Sequence, residues 1–289
     1  MSNGSAPDFP GFGYRRLGRA RTSVSAIGLA DAGMGFMKGP SYEVYQRGFE
    51  KGINLFLWTP RFKELTRFFL DLPVEKRSRL FIVAGSGGGG PTHIRKVLLS
   101  YLKTLGLNKL SCFMLFWVRS NFRVRESIVK QMMSLRDEGL CDNIGLSIHK
   151  RTLAYDLYLK DIFDIFMLRY NAAHRGLERD FLDKVDPDKL PGIISYTATR
   201  WRSLLQRPRG WDEALPRPGD CYRFPLSHPR VTATWMSPNS VGELEANLSV
   251  VAEGPLKPEE AAFICRFGDI VHAQRTPLFG NFFEQSAKV

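Results

Sequence analysis

The sequence lacks most of the features that would assign it at a glance. No apolar run reaches the roughly 20 residues that a bilayer-spanning helix needs, so a helical membrane protein is excluded. The opening stretch, MSNGSAPDFPGFGYRR, has no basic segment followed by an apolar one, and no secretory signal is expected. Cysteine is scarce: Cys112, Cys141, Cys221 and Cys265 are the only four in 289 residues, and none forms a C-x-x-C pair. That spacing suits neither a zinc site nor a disulfide framework. Three of the four lie in or beside apolar runs and read as core thiols, which fits a reducing, cytoplasmic compartment. There is no sign of a metal site, no aromatic–basic ladder and no zinc-finger spacing.

What is present is an ordinary globular composition, 44% hydrophobic and 24% charged, with a formal net charge of +12. The basic residues are spread along the whole chain. The densest groups are Arg15, Arg16, Arg19 and Arg21, then Arg200, Arg202, Arg207 and Arg209. Dispersed charge of this kind argues against nucleic-acid binding. An anionic ligand or an acidic protein partner is the expected use of the excess.

Short β-like runs alternate with longer amphipathic stretches. Ser25–Leu29, Leu55–Leu57, Phe81–Ala84, Leu110–Phe116, Asn143–Ser147, Ile165–Arg169, Ile193–Thr197 and Val231–Met236 read as eight buried strands. Helical patterns fall between them at Thr92–Leu105, stopped by Gly106, at Val124–Leu135, and at Val241–Ala252, for which Ser240 is the expected N-cap. Lys257–Val271 reads as one more helix, and the Pro- and Arg-rich Gln206–Asp220 as a loop. Eightfold strand–helix alternation predicts a parallel (β/α)8 TIM barrel. No shift in composition marks a second domain. The expected organisation is a loose tail over residues 1–13 and one barrel over 14–289. The ligand site of such a barrel lies at the C-terminal ends of its strands.

Several segments resemble the aldo-keto reductase family. They are YRRLGRARTSVSAIGLADAG (Tyr14–Gly33), KGINLFLWTPRF (Lys51–Phe62), RLFIVAG (Arg79–Gly85), THIRKVLLSYLKTLGLNKLSCFMLFWV (Thr92–Val118), LRYNAAHRGLE (Leu168–Glu178) and SPNSVGELEANL (Ser237–Leu248). Together they cover nearly the whole chain in the family's order. The resemblance implies a TIM barrel of the aldo-keto reductase type. It also implies a catalytic tetrad: a tyrosine as general acid, a lysine and an aspartate supporting it, and a histidine orienting the carbonyl.

The positions that match those four carry Phe62 for the tyrosine, Gly85 for the lysine, Leu57 for the aspartate and Phe116 for the histidine. No side chain among them can give or take a proton. The nucleotide positions depart as well. Ser147 matches the serine that would hold the nicotinamide carboxamide, but Ile148 and Met167 replace the asparagine and glutamine. Tyr196 matches the aromatic that stacks on nicotinamide. Ser237, Pro238, Asn239 and Glu243 stand where bases would meet a 2′-phosphate, Ala246 replaces a glutamate, and Asn247 is kept. Without a cation there, a phosphate loses its charge-assisted bonds. No cofactor is expected, and NADPH binding should be weak or absent.

Other polar residues sit at strand ends without a family role. Asp31 and His149 are candidates for an acid–base pair on the pocket floor. The competing reading has Asp31 capping a loop and His149 capping a helix that begins at Lys150, as polar residues at helix entries commonly do. Trp58, Trp117, Arg119, Met167 and Tyr196 are expected to line the pocket. With Leu57, Phe62 and Phe116 they would make an apolar, aromatic mouth suited to a hydrophobic ligand, unless the aromatics have filled it. Gly87–Gly90 reads as a flexible loop rather than a phosphate cradle. Arg169, Tyr170, Asn171, His174 and Arg175 read as scaffold. The functional expectation is a barrel repurposed as a non-redox catalyst or binder of a hydrophobic small molecule. The alternatives are a non-catalytic partner subunit and an NADPH-dependent reductase with displaced catalytic groups.

Overall fold

A computed structural model of the protein describes residues 11–18, 23–31 and 39–274. Its first element is an antiparallel hairpin, β1 (Tyr14–Arg16) against β2 (Ser23–Ser25). Then come β3 (Ile27–Leu29), α1 (Tyr42–Glu50), β4 (Leu55–Leu57), α2 (Lys63–Asp71), α3 (Val74–Arg77), β5 (Phe81–Ser86), α4 (Pro91–Leu105), β6 (Leu110–Val118), α5 (Glu126–Asp137), β7 (Cys141–Ile148), α6 (Arg151–Leu159), β8 (Ile165–Arg169), α7 (Leu177–Asp180), β9 (Gly192–Tyr196), α8 (Pro218–Leu226), β10 (Ala233–Met236), α9 (Val241–Val251) and α10 (Pro258–Ala273). Strands β3 to β10 close into one parallel barrel in the order β10-β3-β4-β5-β6-β7-β8-β9. The eight strands read from the sequence are the eight staves, with ends shifted by a few residues at most.

Residues alternate in facing along each stave, as a pleated strand requires. Leu55, Phe81, Val83, Cys112, Met114, Ile165, Ile194 and Trp235 fill the barrel. Phe56, Ile82, Phe113, Leu146, Phe166 and Ile193 face the helices. The hairpin closes the bottom: Leu17 and Val24 are fully buried against the interior set. Residues 1–10 of the expected tail lie outside the described residues, as do 275–289. Phe12, also assigned to that tail, packs against the outer core, with the Arg15 guanidinium 4.9 Å above its ring.

Local signals explain the helices that face the site. α4 starts with Pro91 in its first turn, buries Ile94, Leu98, Leu102 and Leu105 at helical spacing, and ends on Gly106. In α9 the Ser240 hydroxyl accepts from the Glu243 amide at 3.1 Å, as expected of an N-cap. The Gln206–Asp220 loop is shorter than read, because α8 already begins at Pro218. All four cysteines are free. No described helix is long and apolar enough to cross a membrane.

The α8–α9–α10 corner is held by one buried cation. Arg223 reaches Asp220 at 2.8 Å, Glu260 at 3.0 Å and Glu253 at 3.2 Å, and its Nε donates to the Gly254 carbonyl at 2.7 Å. A cleft of about 420 Å³ opens beside it, lined by Arg217, Asp220, Glu253 and Glu260 among others. Those carboxylates are already taken by Arg217 and Arg223, so the cleft belongs to the packing of this corner. Arg223→Ala should remove about 3 kcal/mol of stability by stranding partly buried carboxylates. Urea denaturation measures it; a loss under about 0.5 kcal/mol would show that the network is only a surface feature.

Candidate functional site

The inward-facing residues nearest the C-terminal strand ends are Leu57 on β4, Gly85 on β5, Phe116 on β6, Ser147 on β7, Met167 on β8 and Tyr196 on β9. Leu57, Met167 and Tyr196 stay partly exposed, so solvent reaches the strand ends from above. β6 carries an irregularity here: Leu115 pairs with Leu146 and Val118 with Ile148, so Phe116 and Trp117 together oppose Ser147. This two-against-one arrangement is a β-bulge. The Trp117 amide donates to Ser147 Oγ at 2.8 Å, which stitches the bulge shut. Trp117 takes a left-handed φ of 55°. Its ring lies against Gly87, where a Cβ would stand 2.6 Å from the indole. Within the glycine-rich loop, Gly87 is thus packed against this ring, while Gly88 and Gly90 have open space where a Cβ would stand. Ser86 Oγ donates to the Gly88 carbonyl at 2.8 Å, and Arg123 donates to the Ser86 carbonyl at 3.1 Å.

Beyond the bulge the register is regular and builds a row across the rim. Val118 pairs with Ile148 and Ile148 with Leu168, so the residues that follow, Arg119, His149 and Arg169, continue side by side. Arg169 pairs in turn with Tyr196. The Tyr196 hydroxyl lies 3.1 Å from His149 Nδ1, and the two rings meet edge to face at 5.5 Å. Burial, and then the charges of Arg169 and Arg119, lower the His149 pKa to about 4. The imidazole is therefore neutral at pH 7 and shares one hydrogen between Nδ1 and the phenol oxygen, whose hydroxyl also reaches the Ile148 carbonyl at 3.5 Å. Burial pushes the Tyr196 phenol above its usual range. This row is legible only by extending strand register past the last paired residues, which the sequence reading did not do.

Asp31 and His149 are not brought together. β3 and β7 stand four places apart in either direction round the eight-stranded barrel. The Asp31 carboxylate lies against Gly39, and Oδ1 is buried without a hydrogen bond. Its charge is felt by the buried Tyr45 of α1, and burial raises its own pKa to about 6. His149 does not cap a helix that begins at Lys150, since α6 begins at Arg151 with Lys150 as N-cap and no side-chain cap; the loop that Asp31 would cap falls on residues 32–38, outside the described residues.

Trp58 is not a pocket residue either. Leu57 faces inward, so Trp58 faces out. It is fully buried beneath the helices, its indole N–H donating to Thr66 Oγ1 at 2.9 Å. Phe62 likewise packs into the outer core. Of the other expected lining residues, Met167 and Tyr196 pack against the interior cluster, while Trp117 and Arg119 are exposed. At Gly85 a Cβ would fall 2.3 Å from the Met114 carbonyl oxygen on β6. The two strands come together there as only glycine permits. Arg175 donates to the Ala172 and Cys265 carbonyls at 2.9 and 3.1 Å and pairs with Asp269, a scaffold role as expected.

The start of α9 is closed on itself. One Glu243 carboxylate oxygen accepts from the Asn239 amide at 3.0 Å and from its side chain at 3.2 Å. Ser237 Oγ and Asn247 Nδ2 are buried without hydrogen bonds. Among the described residues no group of three potential metal ligands gathers.

No protein-family model and no curated protein sequence matches the chain. Solved structures do. It is similar to an aldo-keto reductase from Bacillus halodurans in its holo form, with a TM-score of 0.71 and 17% identity over 88% of this chain and 95% of that one. A thermostable aldo-keto reductase in complex with the inhibitor epalrestat gives a TM-score of 0.68 and 21% identity over 88% and 99%. A Pseudomonas aeruginosa protein assigned to the aldo-keto reductases gives 0.66 and 19% over 87% and 99%. The chain therefore has the (β/α)8 barrel fold of the aldo-keto reductases.

Two titrations test the geometry. For Asp31 the folded pKa of about 6 lies above the unfolded value of about 3.9. The folded state favours the protonated acid, so a penalty is absent below about pH 4, grows up to pH 6 and is full above it. Asp31→Asn should raise stability at pH 7 by about 1 kcal/mol, allowing for solvent screening, and the gain should vanish towards pH 4. For His149 the folded value of about 4 lies below the unfolded value of about 6.5. Its penalty is absent above pH 6.5 and grows as pH falls towards 4. His174, lowered to about 2 by burial and by Arg169, adds a second such proton. His228, lowered by burial, adds a third, and ion-paired carboxylates such as Glu138 and Asp180 add to the loss near pH 4, so His149→Gln should remove only part of the acid-side loss of stability. Denaturant midpoints between pH 4 and 8 read both, and an unchanged pH profile in either variant contradicts the corresponding environment.

Proposed function

We propose that this barrel has lost hydride transfer and that its mouth has been repurposed to bind, or to act without redox chemistry on, a hydrophobic small molecule. The observation that carries this reading is Gly85. At the position where the resemblance calls for lysine, the approach of β5 to β6 leaves no room even for a Cβ, so the supporting cation could not be restored by a single substitution. Leu57 and Phe116 face the mouth with nothing to donate, and Phe62 is turned into the outer core. A proton for a substrate carbonyl would have to come from Tyr196, whose burial makes it a weaker acid. General acid–base catalysis contributes about 10²–10⁴ in rate, and here the tetrad positions supply none of it.

NADPH fits this site poorly. The unpartnered Ser237 and Asn247 atoms would accept company. Yet the Glu243 carboxylate occupies the α9 N-terminus, where a 2′-phosphate would sit and be repelled. Ser147, which matches the carboxamide serine, spends its acceptor on the Trp117 amide. The names of the structural neighbours favour a second reading, a reductase with displaced groups. The free cysteines support a reducing, cytoplasmic setting.

Purified protein incubated with NADPH and aromatic aldehydes or quinones should show no loss of nucleotide absorbance above the protein-free control. Turnover abolished by Tyr196→Phe would establish the reductase reading instead. Gly85→Lys should not create activity and should lower stability by about 2 kcal/mol through overpacking against β6.

A further inference from the structure

We propose that the loops at the C-terminal ends of β6 to β9 form a docking face for an acidic protein partner, whose carboxylates meet the loop arginines and whose apolar side chains cover the exposed rings beside them. The face surrounds the mouth and does not depend on what the mouth binds.

Charge that is dispersed in the sequence is gathered by the fold. The loops that follow β6 to β9, residues 119–125, 149–150, 170–176 and 197–217, hold ten arginines and lysines against two carboxylates. At the other end of the same staves, residues 106–109, 138–140, 160–164 and 181–191 hold four lysines against six carboxylates. The positive field therefore belongs to one face. Arg175 and Arg217 are ion-paired with carboxylates of helices or of the α9–α10 connection. Arg123 and Arg207 donate to backbone carbonyls, which do not cancel their charge. Arg202 and Arg209 are exposed.

The same face carries apolar surface. Trp117, Phe122 and Trp201 are the exposed aromatic side chains among the described residues, and Phe122 has 70% of its surface open. The Arg125 guanidinium stands 4.3 Å over the Phe122 ring. Backbone strain collects here too. Six non-glycine residues among those described have a left-handed φ, and five of them are Trp117, Thr197, Arg200, Trp201 and Arg202. Such conformations persist where the surroundings enforce them, and they cluster at functional surfaces. The loops are also fixed in advance, which lowers the entropy lost on docking. Asn171 donates to the Thr197 carbonyl at 2.7 Å, and Arg207 to the Trp211 and Glu213 carbonyls at 2.7 and 2.9 Å. Rings among guanidiniums would also suit a single nucleic-acid strand. Two features favour a polypeptide. Nine of the ten cations are arginine, which protein interfaces enrich while they deplete lysine. Leu215 adds exposed aliphatic surface on which no base stacks.

The test is a fluorescence-anisotropy titration of the full chain with three labelled probes of equal charge. They are a peptide of about 15 residues with two glutamates to each phenylalanine, the same peptide with glycine for phenylalanine, and oligothymidylate. The phenylalanine peptide should bind about tenfold or more tightly than either of the others, the size of one well-buried aromatic contact. Arg202→Glu combined with Arg209→Glu should weaken it about tenfold or more, and Phe122→Ala severalfold. Lys189→Glu, at the opposite end of β9, should leave it within about twofold. Should a loop variant fail to fold, the wild-type protein still decides, because raising salt from about 50 to about 500 mM must weaken the peptide. Tighter binding of oligothymidylate overturns the assignment in favour of nucleic acid. Equal binding of the two peptides, no binding of either, or a loss as large in Lys189→Glu as in the arginine reversals also overturns it.

Discussion

The hydrogen bond from the Trp117 amide to Ser147 Oγ, at 2.8 Å, holds two residues of β6 against one of β7. Without that extra residue, Val118 would face the barrel interior and Arg119 the helices, because facing alternates along a strand. With it, Val118 faces the helices beside Ile148 and Leu168. The bulge in turn needs its neighbours. Gly85 lets β5 close on β6 beneath it, and Gly87 gives the Trp117 ring a flat surface to lie on. Thus the position matched to the family lysine and the first glycine of the run after it serve the same local geometry.

Electrostatics then sorts the ionisable groups. Burial and the charges of Arg169 and Arg119 favour the neutral form of His149, which shares a hydrogen bond with the Tyr196 phenol. Asp31, on the far side of the barrel, is half-buried with one buried, unsatisfied carboxylate oxygen, and its protonated form is favoured. An acid and a base of complementary pKa would suit catalysis only if they faced each other, and the barrel order keeps these two apart.

Much of this fold was legible in the sequence, because a buried parallel strand writes a short apolar run and the helices between write a 3.6-residue pattern. The Ser240 cap and the Gly106 stop were equally readable. Facing was harder. Trp58 was placed in the pocket because it follows a strand, yet Leu57 already held the inward position, and alternation sent the indole outward. The bulge was invisible, since no residue type in Phe116–Val118 demands it. His149 is legible as a strand-end polar group, but its partner, Tyr196, lies 47 residues away, two staves round the barrel, where only register brings them together.

The account turns on whether the nucleotide site of an aldo-keto reductase fold still works here. Ser237 and Asn247 retain polar atoms with no protein partner, while Glu243 places a carboxylate over the helix end that would meet phosphate. Calorimetric titration of the purified protein with NADPH and NADP⁺ decides between them most directly. The account predicts no binding heat up to about 1 mM nucleotide; a dissociation constant of about 10 μM or tighter, an interaction worth roughly 7 kcal/mol, would contradict it and return hydride transfer to this barrel.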